Sequence, residues 1–159
     1  MAGYVETMTF EQLGDRLASL GRRISFRQPL QVIRQLIASK EKENFTGSHG
    51  PDGEPWKPLK ASSRRRKRDK RGRAAGGTPQ PLRDSGALMA SVTGKGAGHV
   101  ETLTDVRLEY GTNLAYAGYQ QDGTPTIPAR PFIGIGDPLA QQIEQIITEH
   151  AARAVVEGL

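Results

Sequence analysis

The chain has 159 residues with 36% hydrophobic and 6% aromatic content, enough for one core and too little for two sizeable domains, so residues 1–159 are expected to fold as a single unit. Nineteen glycines and ten prolines point to much loop, and the absence of cysteine excludes disulfides, thiolate nucleophiles and every zinc or iron–sulfur site that needs thiolate ligands. The net charge of +5 is unevenly spread: Lys57 to Arg73 holds ten basic residues against Asp69 alone, a net +9, which leaves the rest at −4. That is a mildly acidic body with a basic appendage, unlike a domain whose whole face grips nucleic acid.

Thr9 and Gln12 have capping-box spacing, and Phe10, Leu13, Leu17 and Leu20 follow on one helical face until Gly21. Pro29 suits a first helical turn, and Leu30, Ile33, Leu36 and Ile37 form a second stripe that runs out in Lys40-Glu41-Lys42-Glu43. From residue 46 to 81 the apolar period disappears, and a long basic loop is predicted. Its segment from Arg64 to Arg73 has nothing to bury, so its order is expected to come from a partner. Leu88, Met89 and Val92 could close a short helix, while His99–Leu103 and Val106–Tyr110 read as antiparallel strands, with Ser91–Thr93 as a candidate third. Tyr116–Gln121 reads as a helical turn, and Pro125, Pro128 and Pro131 hold the next stretch extended. Asp137 as cap and Pro138 as first residue open a final helix that buries Leu139, Ile143, Ile146, Ile147, Ala154 and Val155. The fold class is therefore α+β: N-terminal helices, a long basic loop, a small antiparallel sheet and a C-terminal helix packed on it.

No stretch approaches the roughly 20 apolar residues of a membrane span, and residues 1–20 lack the pattern of a secretory leader, so synthesis in the cytoplasm and no membrane partner are expected. His49, His99 and His150 show no metal-ligand spacing and are expected as ordinary surface or packing residues. Asp84-Ser85-Gly86 lacks the preceding glycine of a nucleophile elbow, which makes Ser85 a helix cap. Gly94-Lys95-Gly96-Ala97-Gly98 lacks the Lys-Ser/Thr ending of a P-loop and reads as a mobile hairpin tip. Gly134-Ile135-Gly136 precedes a helix whose cap is an acid, which repels phosphate. No catalytic residue, cofactor site or metal site is predicted.

Three signatures in order remain. They are Phe45 with Pro51-Asp52-Gly53-Glu54-Pro55-Trp56-Lys57-Pro58-Leu59; Leu82-Arg83-Asp84-Ser85-Gly86-Ala87-Leu88 with Ser91-Val92; and Tyr110-Gly111-Thr112-Asn113, Tyr116-Ala117 and Ile127-Pro128-Ala129-Arg130-Pro131-Phe132-Ile133-Gly134. Together they resemble the phage virion morphogenesis family, the tail completion proteins of Mu-like tailed phages. The resemblance implies a structural virion protein of the bacteriophage head-tail junction, made in the host cytoplasm, that completes the tail and joins it to the head at the neck. It also implies a ring, sixfold as tails are, whose partners are copies of itself, the neck or connector, and tail terminator or tail tube proteins, with packaged DNA in the channel.

In that setting Trp56 on its turn, Tyr116, Arg130 between prolines and Phe132 are candidate interface residues, with exposure expected of Trp56 and Arg130; the alternatives are a Trp56 ring folded back over the domain's own core and a snorkelling Arg130 at the surface. Leu82, Leu88 and Tyr110 are expected in the core. Arg64, Arg65, Arg66, Lys67, Arg68, Lys70, Arg71 and Arg73 are the candidate contacts to DNA or an anionic partner, six arginines to two lysines, which favours forked contacts to carboxylate or phosphate. The alternative is a nucleic-acid-binding accessory protein that uses residues 57–73 as its arm. Steep salt dependence would mark that alternative, since apolar ring contacts lack it.

Overall fold

In a computed structural model of the protein, Ser19, residues 24–71 and residues 79–158 are described. The helix predicted from Thr9 to Leu20 lies outside the described residues apart from Ser19. The element order is α1 (Arg27–Gly47), α2 (Ala61–Arg71), α3 (Ala87–Val92), β1 (His99–Leu103), β2 (Leu108–Thr112), α4 (Ala117–Gln121) and α5 (Asp137–Gly158). The arrangement is α+β, as the sequence predicts. Among the described residues no helix is long and apolar enough to cross a membrane.

Helix α1 continues past Lys40, where the charged stretch suggested its end, because the inward stripe itself continues. Ile33, Glu41, Asn44 and Phe45 are all buried at spacings of three, four and eight residues. The helix ends where Ser48 turns left-handed at φ 58°. The chain then doubles back: Gly50 N–H donates to Glu54 O (2.8 Å), Trp56 N–H donates to Ser48 O (2.9 Å), and Gly53 sits at φ 84° in the predicted Asp52-Gly53 turn.

The core forms where Phe45, Trp56, Leu88, Val92, Ala117 and Phe132 meet, with Leu82, Met89, Leu114 and Ile133 packed around them. One residue each from α1, the turn after it and α4, two from α3, and the proline-rich segment thus share one cluster. Leu88 is buried as expected, while Leu82 and Tyr110 are half-buried. Ser85 is not the cap of α3: Gly86 holds the N-cap position at φ 86° with no side-chain cap bond, and Ser85 Oγ, one residue earlier, accepts from Ala87 N–H at 3.3 Å.

Two strands make the sheet, antiparallel with His99 opposite Thr112 and Leu103 opposite Leu108. The candidate third strand, Ser91–Thr93, is instead the end of α3. Ser91 and Val92 are fully buried there, Ser91 Oγ donates to Leu88 O (2.8 Å) and meets Thr112 Oγ1 (2.9 Å), and Tyr110 OH donates to Val92 O (2.7 Å). β2 starts two residues later than predicted because Val106 occupies the hairpin turn, closed by Thr104 N–H to Arg107 O at 2.8 Å. The glycine-rich stretch connects α3 to β1 and is no hairpin tip: Gly94 and Gly98 adopt φ 78° and 84°, and Lys95 N–H donates to Ala90 O (2.9 Å).

Helix α5 lies against α1, and its Ile143 and Ile147 face Leu108 and Tyr110 of the sheet across an apolar crevice. Its first amide is capped from a distance: Asp137 N–H donates to Asp52 Oδ1 at 3.1 Å, so the capping carboxylate belongs to the turn 85 residues earlier, and Asp137 sits inside the first turn. The approach is close enough that a Cβ on buried Gly136 would lie 2.6 Å from Pro51 O.

Candidate functional site

The three signatures fold into one structure. Trp56 is 6% exposed, its ring edge-on to Phe45 (centroids 5.4 Å), and its Nε1–H donates to Pro131 O at 2.6 Å. Phe132 is 1% exposed and packs on the other side of Phe45 at 5.8 Å. Arg130 is 5% exposed, donating from Nε to Lys57 O (2.8 Å) and from NH2 to Pro58 O (3.3 Å), and its burial lowers its pKa. The exposure expected of Trp56 and Arg130 is thus corrected. Proline-bounded segments have few ladder bonds of their own, so their free carbonyls are met by the indole and the guanidinium, and two segments 75 residues apart are tied together.

Sequence reasoning missed Gln121, which completes this tie. Its Oε1 accepts from Phe132 N–H (3.0 Å) and Ile133 N–H (3.3 Å), while its Nε2 donates to Ile133 O (2.8 Å). A glutamine at the end of a short helix carries no signal of that role.

Of the four expected interface residues, Tyr116 is the one at the surface, 43% exposed. It borders a cleft of about 490 Å³ between α2, the 82–88 segment and the 116–130 segment. Leu59, Leu82, Leu88 and Ile127 contribute apolar walls, and Lys60, Arg66 and Lys67 with the Arg130 guanidinium make the lining largely basic, against Asp84 as its acid.

The predicted basic loop contains a helix. Residues 61–71 are good helix formers for the most part, and alanine, arginine and lysine supply eight of those eleven positions. The first turn is closed by Arg64 N–H to Lys60 O (3.0 Å), and Lys67 Nζ reaches Gln80 O (3.1 Å) to hold the helix against the returning chain. Arg64, Arg65 and Arg66 are exposed and Lys67 is half-buried; Arg68, Lys70 and Arg71 continue the helix backbone, and Arg73 lies outside the described residues.

A second feature hidden in the sequence is Glu41, fully buried on α1. Its Oε1 accepts from Gly134 N–H at 3.4 Å while Oε2 has no hydrogen-bond partner among the described residues, and burial pushes the carboxyl up to about 8. It sat within a run that looked like a solvated helix end. Near it, Arg34 NH1 pairs with Glu101 (3.1 Å), Glu101 meets His99 Nε2 (3.2 Å), and His99 Nδ1 meets Ser91 O (2.7 Å) with its ring 5.0 Å from Tyr110. His150 Nε2 meets Ser25 O (2.9 Å) beside Phe26. Histidines 99 and 150 therefore pack and brace the fold.

Residues 6–152 match the phage virion morphogenesis family. The chain belongs to that family. It is also 29% identical over 161 residues to the Mu-like prophage FluMu G protein 1 of Haemophilus influenzae, covering 96% of this chain and 95% of that protein. No solved structure matches. Membership gives the protein a part in building a phage virion.

Proposed function

We propose that the protein completes the phage tail and joins it to the head at the neck, as a subunit of a sixfold ring that works by binding and without catalysis. The match to the virion morphogenesis family across residues 6–152 carries this reading. The geometry supports it: the residues of the shared signatures spend their chemistry on one another, Trp56 on Pro131, Arg130 on Lys57 and Pro58, Gln121 on Phe132, which is what a rigid assembly block requires. Its partners in this reading are further copies, a neck or connector protein, and a tail terminator or tube protein. The test is to inactivate the gene in its phage and examine the lysate by electron microscopy. Filled heads beside unjoined or overlong tails are expected; normal joined particles would refute the role.

A second reading is favoured by one observation, three consecutive exposed arginines on α2. They could meet packaged DNA in the channel, or serve an accessory protein that binds nucleic acid. Duplex affinity measured between about 50 and 200 mM salt separates contact with nucleic acid from contact with protein: release of counterions by several phosphate contacts gives a loss of orders of magnitude. A flat profile would leave α2 to protein partners.

A further inference from the structure

We infer that the basic-rimmed cleft is the receptor for the β1–β2 hairpin tip of a second copy of this chain. The inference rests on the ring proposed above and names the contact that would build it. The tip carries Val106, 78% exposed, next to the exposed carboxylate of Asp105. No other large apolar side chain among the described residues is more exposed. The tip is also pre-organised. Asp105 O accepts from Phe26 N–H (2.7 Å), Thr104 N–H donates to Arg107 O (2.8 Å), Arg107 is paired with Glu109 and Arg27 reaches Leu103 O (3.5 Å), while Asp105 makes no ion pair among the described residues. Little ordering entropy remains to be lost on docking.

The cleft is complementary in both respects. Leu59, Leu82 and Ile127 offer apolar wall for Val106, and the exposed Lys60 and Arg66 offer cations for Asp105. Phosphate backbone would match the cations and leave the apolar wall unused, so the lining favours a polypeptide. The two surfaces also lie toward opposite ends of α1. The tip is fastened beside Phe26, where α1 begins, while Leu88 of the cleft packs in the cluster around Phe45, near the end of α1. Those 19 residues of helix span roughly 30 Å at 1.5 Å per residue. Complementary patches at opposite ends cannot satisfy each other within one chain. They generate head-to-tail contacts, which close into a ring when the rotation permits. The contact is small and partly ionic, so it should be weak in free solution and weaker in salt.

Because the chain has no cysteine, the contact can be trapped cleanly. Val106→Cys and Thr126→Cys, the second on the cleft lining, combined in one chain should give under mild oxidation at high protein concentration a ladder of dimers, trimers and larger species. Val106→Cys combined with Ser39→Cys, an exposed position on α1 outside the cleft, supplies the background. Asp105→Lys should cut the ladder about fivefold, the worth of a rim ion pair, and Lys60→Glu with Arg66→Glu should restore it in that background. All the substituted side chains are at least partly exposed, and an unchanged thermal midpoint verifies the fold. A ladder no stronger than the Ser39 background, or one indifferent to Asp105→Lys, overturns the inference. No ladder together with unjoined particles on gene inactivation would remove this contact and keep the neck role; a ladder together with normal particles would do the reverse.

Discussion

Glu41 makes folding stability depend on pH in a direction opposite to most carboxylates. Its pKa is about 8 in the folded protein against 4.5 for a free glutamate, because burial beside the apolar crevice disfavours the charged form. In the folded state the group therefore holds its proton across a range where the unfolded state has lost it. The unfolded state binds fewer protons between pH 4.5 and 8, so stability falls as pH rises through that window and is fully present only below it. From pH 5 to pH 8 the two values give a loss of about 3 kcal/mol, a large share of a typical domain's stability. Urea unfolding of the full chain at pH 5, 6, 7 and 8 measures it, and the Glu41→Gln variant isolates it from the rest of the chain. Glutamine copies the protonated acid in shape and cannot ionise. The variant should match the parent near pH 5, exceed it by about 3 kcal/mol at pH 8, and show the flatter profile. Parallel profiles for parent and variant would refute the assignment and mean that the crevice admits water to the carboxylate.

Trp56→Ala should cost about 3–5 kcal/mol by thermal unfolding, since it empties the centre of the core and strands the Pro131 carbonyl; an unchanged midpoint would return Trp56 to the surface. Asp52→Ala should cost about 1 kcal/mol and speed amide exchange at the start of α5, where its carboxylate caps Asp137; exchange unchanged there would refute the long-range cap. Replacing Arg64, Arg65 and Arg66 by Gln should leave the thermal midpoint unchanged, because those side chains are exposed, and should weaken binding to duplex DNA or to an anionic partner protein in a salt-sensitive way. Loss of the midpoint would show that α2 holds the fold.

The sequence by itself determined what depends on neighbours in the chain. The stripe from Leu30 to Ile37 and the one from Leu139 to Val155 made α1 and α5 legible, because helical period is a local property of apolar spacing. β1, the Asp52-Gly53 turn and the short helices around residues 88 and 118 were legible for the same reason, as was the family, whose signatures keep their order along the chain. Tertiary structure decided everything that joins distant residues. Trp56 and Arg130 sit in segments whose prolines and turn residues look exposed, yet those segments bury each other, and only their meeting supplies the carbonyls at Pro131, Lys57 and Pro58. Glu41 reads as solvent-facing among charged neighbours until Gly134 and the crevice close over it. Asp137 looked like its own helix cap until Asp52 arrived from 85 residues away. Local spacing fixes which face a side chain takes on its own element; whether that face meets water or another segment is set by chain closure over many residues, which no short window of sequence contains.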